Sequence, residues 1–237
     1  VGASPKESEL NISSPSLIED PTGNILLNLA EGLARTDGQS WLIFNQKNGL
    51  PQDEIEMMIF DHTGGLWLAP SGYGISRWLG YGNWEGWTKA DGLSSNIVLG
   101  MAQDQAGRKW IATEVGLDLL DIRTGRVRPQ NPLLPFRQLT AVAGRGQHVW
   151  TGDALGQVFD FDPTTGTARL ALNHLDTVYQ ILVDKQDRVW VCSPNGLDYF
   201  APIDKWLKPH HIEEPLLPKG NAYGITQGPG GVLWVTT

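Results

Sequence analysis

A tryptophan returns along this chain at a nearly fixed interval. It stands at Trp67, Trp110, Trp150, Trp190 and Trp234, with Leu26 in the equivalent slot of the first copy. Two other marks keep step with it. An acidic residue lies six positions earlier in four copies (Asp20, Asp61, Asp104, Asp184), and a glycine follows at a constant offset (Gly32, Gly116, Gly156, Gly196, with Gly74 shifted by one). A second apolar segment precedes each anchor, as in Met57–Ile59, Val98–Met101, Leu139–Val142 and Val178–Val183. Each unit therefore reads as strand, turn, strand, glycine turn, strand, and a more variable fourth strand.

A period of about 40–45 residues made of four short strands is that of a β-propeller blade. One such meander has two apolar faces and cannot bury both alone, so blades must stack, with the large anchor ring filling the gap between sheets. Helical repeats of similar length are excluded. No segment keeps an i, i+3, i+4 apolar pattern for about ten residues, and glycine interrupts every unit. The expectation is an all-β propeller of four-stranded antiparallel blades, about five complete and one half.

In chain order, residues 1–16 are polar and Ser/Pro-rich and read as a linker or a mature N-terminus, and 17–237 carry the repeats. The first unit, about Leu17 to Phe44, is the weakest. The second is read as carrying an aromatic insertion with Trp78, Tyr81, Trp84 and Trp87. The fourth loses its acidic residue in GRGQHVW, and the fifth has Asp187 where the turn glycine stood, a residue that tolerates the left-handed region. The sixth stops at Thr237, after its second strand. Leu10–Ile12 would lend one strand to that blade but not two, so the chain is expected to be a piece of a longer array.

The formal net charge of -8 lacks the basic footprint of a nucleic-acid binder. No apolar run approaches the roughly 18–20 residues of a membrane span, and no signal peptide opens the sequence. The lone Cys192 has no intramolecular partner. Beside Trp190, it is expected to be a buried structural thiol rather than a nucleophile.

The segments NGLPQDEI (Asn48–Ile55) with DHTGGLWLAPSGYGI (Asp61–Ile75), DGLSSNIV (Asp91–Val98) with DQAGRKWIATEVGLDLLD (Asp104–Asp121), and DKQDRVWVCSPNGLDYF (Asp184–Phe200) resemble the two-component regulator propeller repeat. The first, fourth and sixth units depart from that pattern. The resemblance implies an extracytoplasmic, periplasmic sensor region of a bacterial receptor. In that family a small β-sandwich, a membrane helix and an output domain, such as a histidine kinase or diguanylate cyclase, usually follow. Studied members from gut bacteria sense polysaccharide fragments, and the intact receptor is expected to be a homodimer. Any membrane attachment would come through those further segments.

In a four-stranded blade the second-to-third turn and the blade-to-blade connection share one end, so both glycine motifs gather on one rim, where binding is usually found. Tyr73, Glu114, Asp153 and Asn195 enter this rim from the turns, with Glu31 and Ser71 beside them. Asp53, Asn96 and Arg137 enter from the connections, with Gln52, Ser95 and Asn221. Taken singly, most of them satisfy turn hydrogen bonds. Together they would suit a small polar or oligosaccharide-like ligand. Trp78 and Tyr81 are candidates for a carbohydrate platform or a docking patch, and Trp87 is expected to pack. Trp67, Trp110, Trp150, Trp190, Trp234, Gly116 and Gly196 are assigned to architecture.

Metal and catalytic patterns are thin, and no cofactor is expected. His210 and His211 are adjacent and would point to opposite faces of a strand, while His148 and His174 stand apart. The aspartates before the anchors lack the DxDxDG of a calcium loop, and turn capping through nearby backbone amides accounts for them. No GxSxG or HExxH occurs. Three functions are weighed. The first is a non-enzymatic ligand-sensing propeller. The second is a lyase resembling the streptogramin-inactivating enzymes, which GPGGVLWVT (Gly228–Thr236) suggests; those enzymes need a His/Glu constellation and magnesium, and no histidine falls in the repeated rim loops. The third is a scaffold for protein partners.

Overall fold

The computed structural model of the chain describes residues 17–30, 32–80, 82–130, 138–146, 148–173, 175–201, 210–212, 220–228 and 231–237. The fold is a β-propeller of four-stranded antiparallel blades. Blade 1 holds β1 (Leu17–Glu19), β2 (Ile25–Leu29), β3 (Gly32–Thr36) and β4 (Trp41–Phe44). Blade 2 holds β5 (Ile55–Phe60), β6 (Leu66–Pro70), β7 (Ile75–Gly80) and β8 (Asn83–Trp87). Blade 3 holds β9 (Val98–Gln103), β10 (Lys109–Thr113), β11 (Leu117–Asp121) and β12 (Arg126–Pro129). Blade 4 holds β13 (Leu139–Arg145), β14 (His148–Asp153), β15 (Val158–Asp162) and β16 (Thr167–Leu172). Blade 5 holds β17 (Gln180–Val183), β18 (Val189–Ser193), β19 (Gly196–Phe200) and the short β20 (His210–His211). A sixth sheet has two strands, β21 (Gly224–Gln227) and β22 (Leu233–Thr236). Among the described residues no helix is long and apolar enough to cross a membrane.

The chain forms two compact units that divide after Met101, within β9. In the first, Leu26, Leu33, Leu50, Ile55, Met58 and Leu68 make a core between blades 1 and 2. In the second, the anchors of blades 3 and 4 pack on the third strand of the next blade. Trp110 meets Phe161 edge-on at 5.9 Å, and Trp150 meets Phe200 at 5.2 Å. Trp190 shares a cluster with Cys192, Leu197, Ala222 and Ile225. Cys192 is fully buried, and that burial pushes its thiol up to about 12, well away from nucleophile territory.

The aspartate six residues before the anchor does more than cap a turn. In Asp104, Oδ1 accepts the backbone N–H groups of Ala106 and Arg108, while Oδ2 accepts the Trp110 indole N–H at 2.9 Å and Arg108 Nε at 2.5 Å. Arg108 in turn lies over the Trp110 ring at 5.4 Å. Asp184 repeats the set with Gln186, Arg188 and the Trp190 indole at 2.8 Å, and Arg188 stacks on Trp190 at 5.0 Å. Asp61 holds the Trp67 indole at 2.9 Å, and there the stacking guanidinium is Arg77, which faces Trp67 from β7. Where Leu26 offers no N–H, Arg35 from the facing position on β3 reaches Asp20 at 2.6 Å instead. Every lock thus gives a buried carboxylate both backbone donors and a side-chain donor.

Blade 4 lacks the turn aspartate, and its lock is transposed. Asp160 on β15, directly opposite Trp150, takes His148 Nδ1 at 2.8 Å and lies 3.6 Å from Arg169. His148 stacks on Trp150 from the same place, two before the anchor, that Arg108 and Arg188 hold in their blades. In blade 5, Asp187 takes the left-handed conformation at φ 60 and forms an ion pair with Arg145 of blade 4, which a glycine would forgo.

Two expectations are corrected. Trp234 does not pack like the other anchors: it is 66% exposed. The aromatic stretch of the second unit is not an insertion but the ordinary third and fourth strands of blade 2. Trp78 pairs across the strands with Trp84, whose indole N–H reaches the Gly49 carbonyl at 2.6 Å, and Trp87 is buried and stacked on Trp67 at 5.5 Å. The expected role of Leu10–Ile12 falls outside the described residues.

The locks predict acid sensitivity. Burial alone would raise the Asp184 pKa, but the Trp190 indole, the Arg188 backbone and guanidinium and the Gln186 N–H outweigh it and hold it below 3.8. Asp20 is held low against burial in the same way by Thr22, Asn24 and Arg35. A carboxylate depressed on folding stabilises the protein above its unfolded pKa and loses that contribution as pH falls through the folded value. Urea titrations across the acid range are expected to find stability falling on acidification, and Asp184→Asn to be less stable at neutral pH with a shallower fall.

Candidate functional site

The rim is built from two recurring backbone devices. The first is the GL connection. In Asn45–Asp53 a 3-10 turn (Gln46–Asn48) is capped at both ends of its box: Asn45 accepts from Lys47 N, and Asn48 accepts from Asn45 N. Gly49 turns at φ 129 and delivers Leu50 to the core, and Asp53 closes the loop by accepting the Gln46 N–H. Thr88–Asn96 repeats this with Thr88 and Asp91 as the box, Gly92, buried Leu93, and Asn96 accepting from Lys89 N at 2.6 Å. Asp53 and Asn96 are thus equivalent positions, each engaged by its own loop.

The second device is the glycine turn. Thr113 Oγ1 accepts from Val115 N and Gly116 N and is fully buried, and Ser193 Oγ accepts from Asn195 N in the same place. The glycine is needed because the outer strand or connection runs against it. A Cβ would fall 2.0 Å from the Phe44 carbonyl oxygen at Gly32, 2.1 Å from that of Trp87 at Gly74, and 1.5 Å from that of Leu175 at Gly156.

Turn and connection are stitched by main-chain hydrogen bonds. In the first unit Ser71 N donates to Glu54 O and Gly74 N to Asn96 O. In the second, Gln138 N donates to Glu114 O, Val178 N to Asp153 O, and Ala222 N to Ser193 O. Loops tied in this way form a stiff platform for the side chains they carry.

The structure places the sequence-predicted residues unevenly on this platform. Tyr73 is 56% exposed on the first unit's rim. Trp78 is 45% exposed but lies down β7, away from the turn that carries Tyr73. Glu114 is exposed on the β10–β11 turn, whereas neighbouring Thr113 is spent inside it. Tyr81, Arg137, Glu31 and His174 lie outside the described residues. His210 and His211 face opposite ways, one stacked on Tyr199 and the other bonded to Asp198. Asp153 and Asn195 are brought to one edge of the second unit through the stitches to Val178 and Ala222.

That edge also carries a pair the residue pattern did not single out. Tyr179 and Tyr223 stack at 5.3 Å and 24°, and Asn221 Nδ2 donates to the Tyr223 hydroxyl at 2.6 Å. Both precede the innermost described strand of their blades, Tyr179 before β17 and Tyr223 before β21. The shared repeat position was the available signal. Asp153 stands beside them with Oδ1 accepting from Leu155 N and Gln157 N, yet burial outweighs these bonds and raises its pKa above 3.8.

No protein-family model and no curated protein sequence matches this chain. Among solved structures, the extracellular domain of a candidate hybrid two-component system (BT3049) of B. thetaiotaomicron matches with a TM-score of 0.77 at 18% identity, covering 94% of this chain and 32% of that one. The extracellular domain of BT4673, from the same organism, matches at 0.69 and 16% identity, covering 98% of this chain and 38% of that one. A catalytically inactive virginiamycin B lyase from Staphylococcus aureus with quinupristin matches at 0.73 and 15% identity, covering 98% and 80%. The chain shares the propeller fold of these proteins and spans about a third of the length of the two receptor domains.

A carboxyl whose pKa rises on folding favours the folded state below its unfolded value and loses that contribution as pH rises through the folded value. Asp153→Asn is therefore expected to raise the melting temperature at neutral pH, with the gain vanishing below 3.8. Calorimetric melts across pH check this, and a neutral-pH loss would contradict it.

Proposed function

We propose that this chain is a ligand-sensing propeller of a bacterial membrane receptor, held in the periplasm and without catalytic activity of its own. The observation that carries this reading is the Tyr179–Tyr223 stack with Asn221, Asp153 and Asn195 on a rim stiffened by main-chain stitches. Aromatic faces beside exposed amide groups suit a small polar ligand with an apolar face, such as an oligosaccharide. The two-component regulator repeat pattern and the likeness to receptor ectodomains support the same reading. In the intact receptor, dimerisation through further segments would carry the signal onward.

Thermal shift of the full chain against a panel of neutral oligosaccharides and small metabolites tests this. A ligand is expected to raise the melting temperature, and Tyr223→Ala to remove most of that shift while changing basal stability by no more than about 1 kcal/mol, as befits a half-exposed side chain. The absence of any shift would favour a protein scaffold, and turnover of a cyclic depsipeptide would establish the lyase reading instead.

A further inference from the structure

At the end of blade 3 opposite its glycine turn, a groove of about 390 Å³ is lined by Arg108, Arg123 and Arg128 together with Leu119, Ile122 and Asp121. The geometry points to a second binding site here, one that takes a small organic anion. It is separate from the rim and does not depend on the function proposed for it.

The groove follows from the hairpin geometry of the blade. The β9–β10 turn brings Arg108, the β11–β12 turn brings Ile122 and Arg123, and β12 sets Arg128 directly opposite Leu119. Residues 108–128 hold five basic residues against three acidic ones, a local excess of positive charge in a protein whose net charge is -8. This is a local reversal of the protein's overall sign, and it draws anions to one place.

The charges are cancelled only in part. Arg108 is committed through Nε to Asp104 and through its face to Trp110. Arg123 and Arg128 are exposed, and among the described residues no carboxylate lies within ion-pair distance of either. Asp121, the carboxylate on the groove wall, is engaged by its own turn, where Oδ1 accepts the Arg123 backbone N–H at 3.0 Å. The Thr124 side chain is the main influence lowering its pKa, and the Arg123 charge beside it adds to that.

Two exposed guanidinium forks match a single carboxylate, sulfate or phosphate group, which each can grip through paired N–H donors. Leu119 and Ile122 supply an apolar surface for the body of the ligand. The volume is that of a small-molecule site. Together these features select a compact acid with a ring or short apolar body, rather than a bare ion or a neutral sugar.

Isothermal titration of the full chain with glucuronate, glucose and inorganic phosphate tests the site. Glucuronate is expected to bind, phosphate to compete with it, and glucose to leave the glucuronate isotherm unchanged. Arg123→Gln and Arg128→Gln are each expected to weaken glucuronate about tenfold without lowering the melting temperature, since each removes a charged hydrogen-bonding partner from an exposed position. Arg169→Gln, on blade 4, leaves binding unchanged. Absence of glucuronate binding, competition by glucose as effective as by phosphate, or full binding in the Arg123→Gln/Arg128→Gln double variant would each overturn the assignment.

Discussion

The structure depends on one repeated interaction, a buried aspartate that holds the indole N–H of the anchor six residues further on. The wedge between blades needs a large flat side chain, but an indole brings an N–H that is costly to bury unpaired. Asp61, Asp104 and Asp184 answer that cost at 2.8–2.9 Å and tie the same carboxylate to the turn that starts the strand. Local turn geometry and packing between sheets are thereby fixed by one group. In blades 3 and 5 the stacked arginine adds a cation to the ring and a counter-charge to the carboxylate.

The exceptions follow the same constraint. With leucine as anchor in blade 1, the aspartate receives Arg35 in place of the indole. With no turn aspartate in blade 4, Asp160 supplies a carboxylate from the adjacent strand and His148 replaces the arginine. Both blades keep a carboxylate paired with a basic side chain at the anchor, supplied by different residues. At the other end of the blades, glycine turns pressed against neighbouring carbonyls and capped GL connections leave the backbone little freedom, so recognition falls to the side chains that differ between repeats.

Much of this was legible in the chain because its causes are local. The strand order, the blade length and the first unit's limits at Leu17 and Phe44 follow from spacing alone, and the aspartates were readable as turn caps. The Oδ2 partners were not, because reaching Trp110 from Asp104 requires the strand to fold back on its turn. Asp53 and Asn96 were ligand candidates as part of the rim, while taken singly they were expected to satisfy turn hydrogen bonds, and each closes the capped turn before it. The Tyr179–Tyr223 stack joins different blades, and only the shared repeat position of the two residues hinted at it. Trp234 carried the anchor's spacing but not its burial, which spacing alone does not report.

The central claim is that the aspartate and the anchor are energetically coupled rather than merely adjacent. A double-mutant cycle with Asp104→Asn and Trp110→Phe, measured by urea denaturation at neutral pH, tests it most directly. A charge-assisted hydrogen bond between buried partners predicts a coupling energy of about 1.5–3 kcal/mol. Additive effects, with a coupling indistinguishable from zero, would contradict the account and reduce the aspartate to a turn cap.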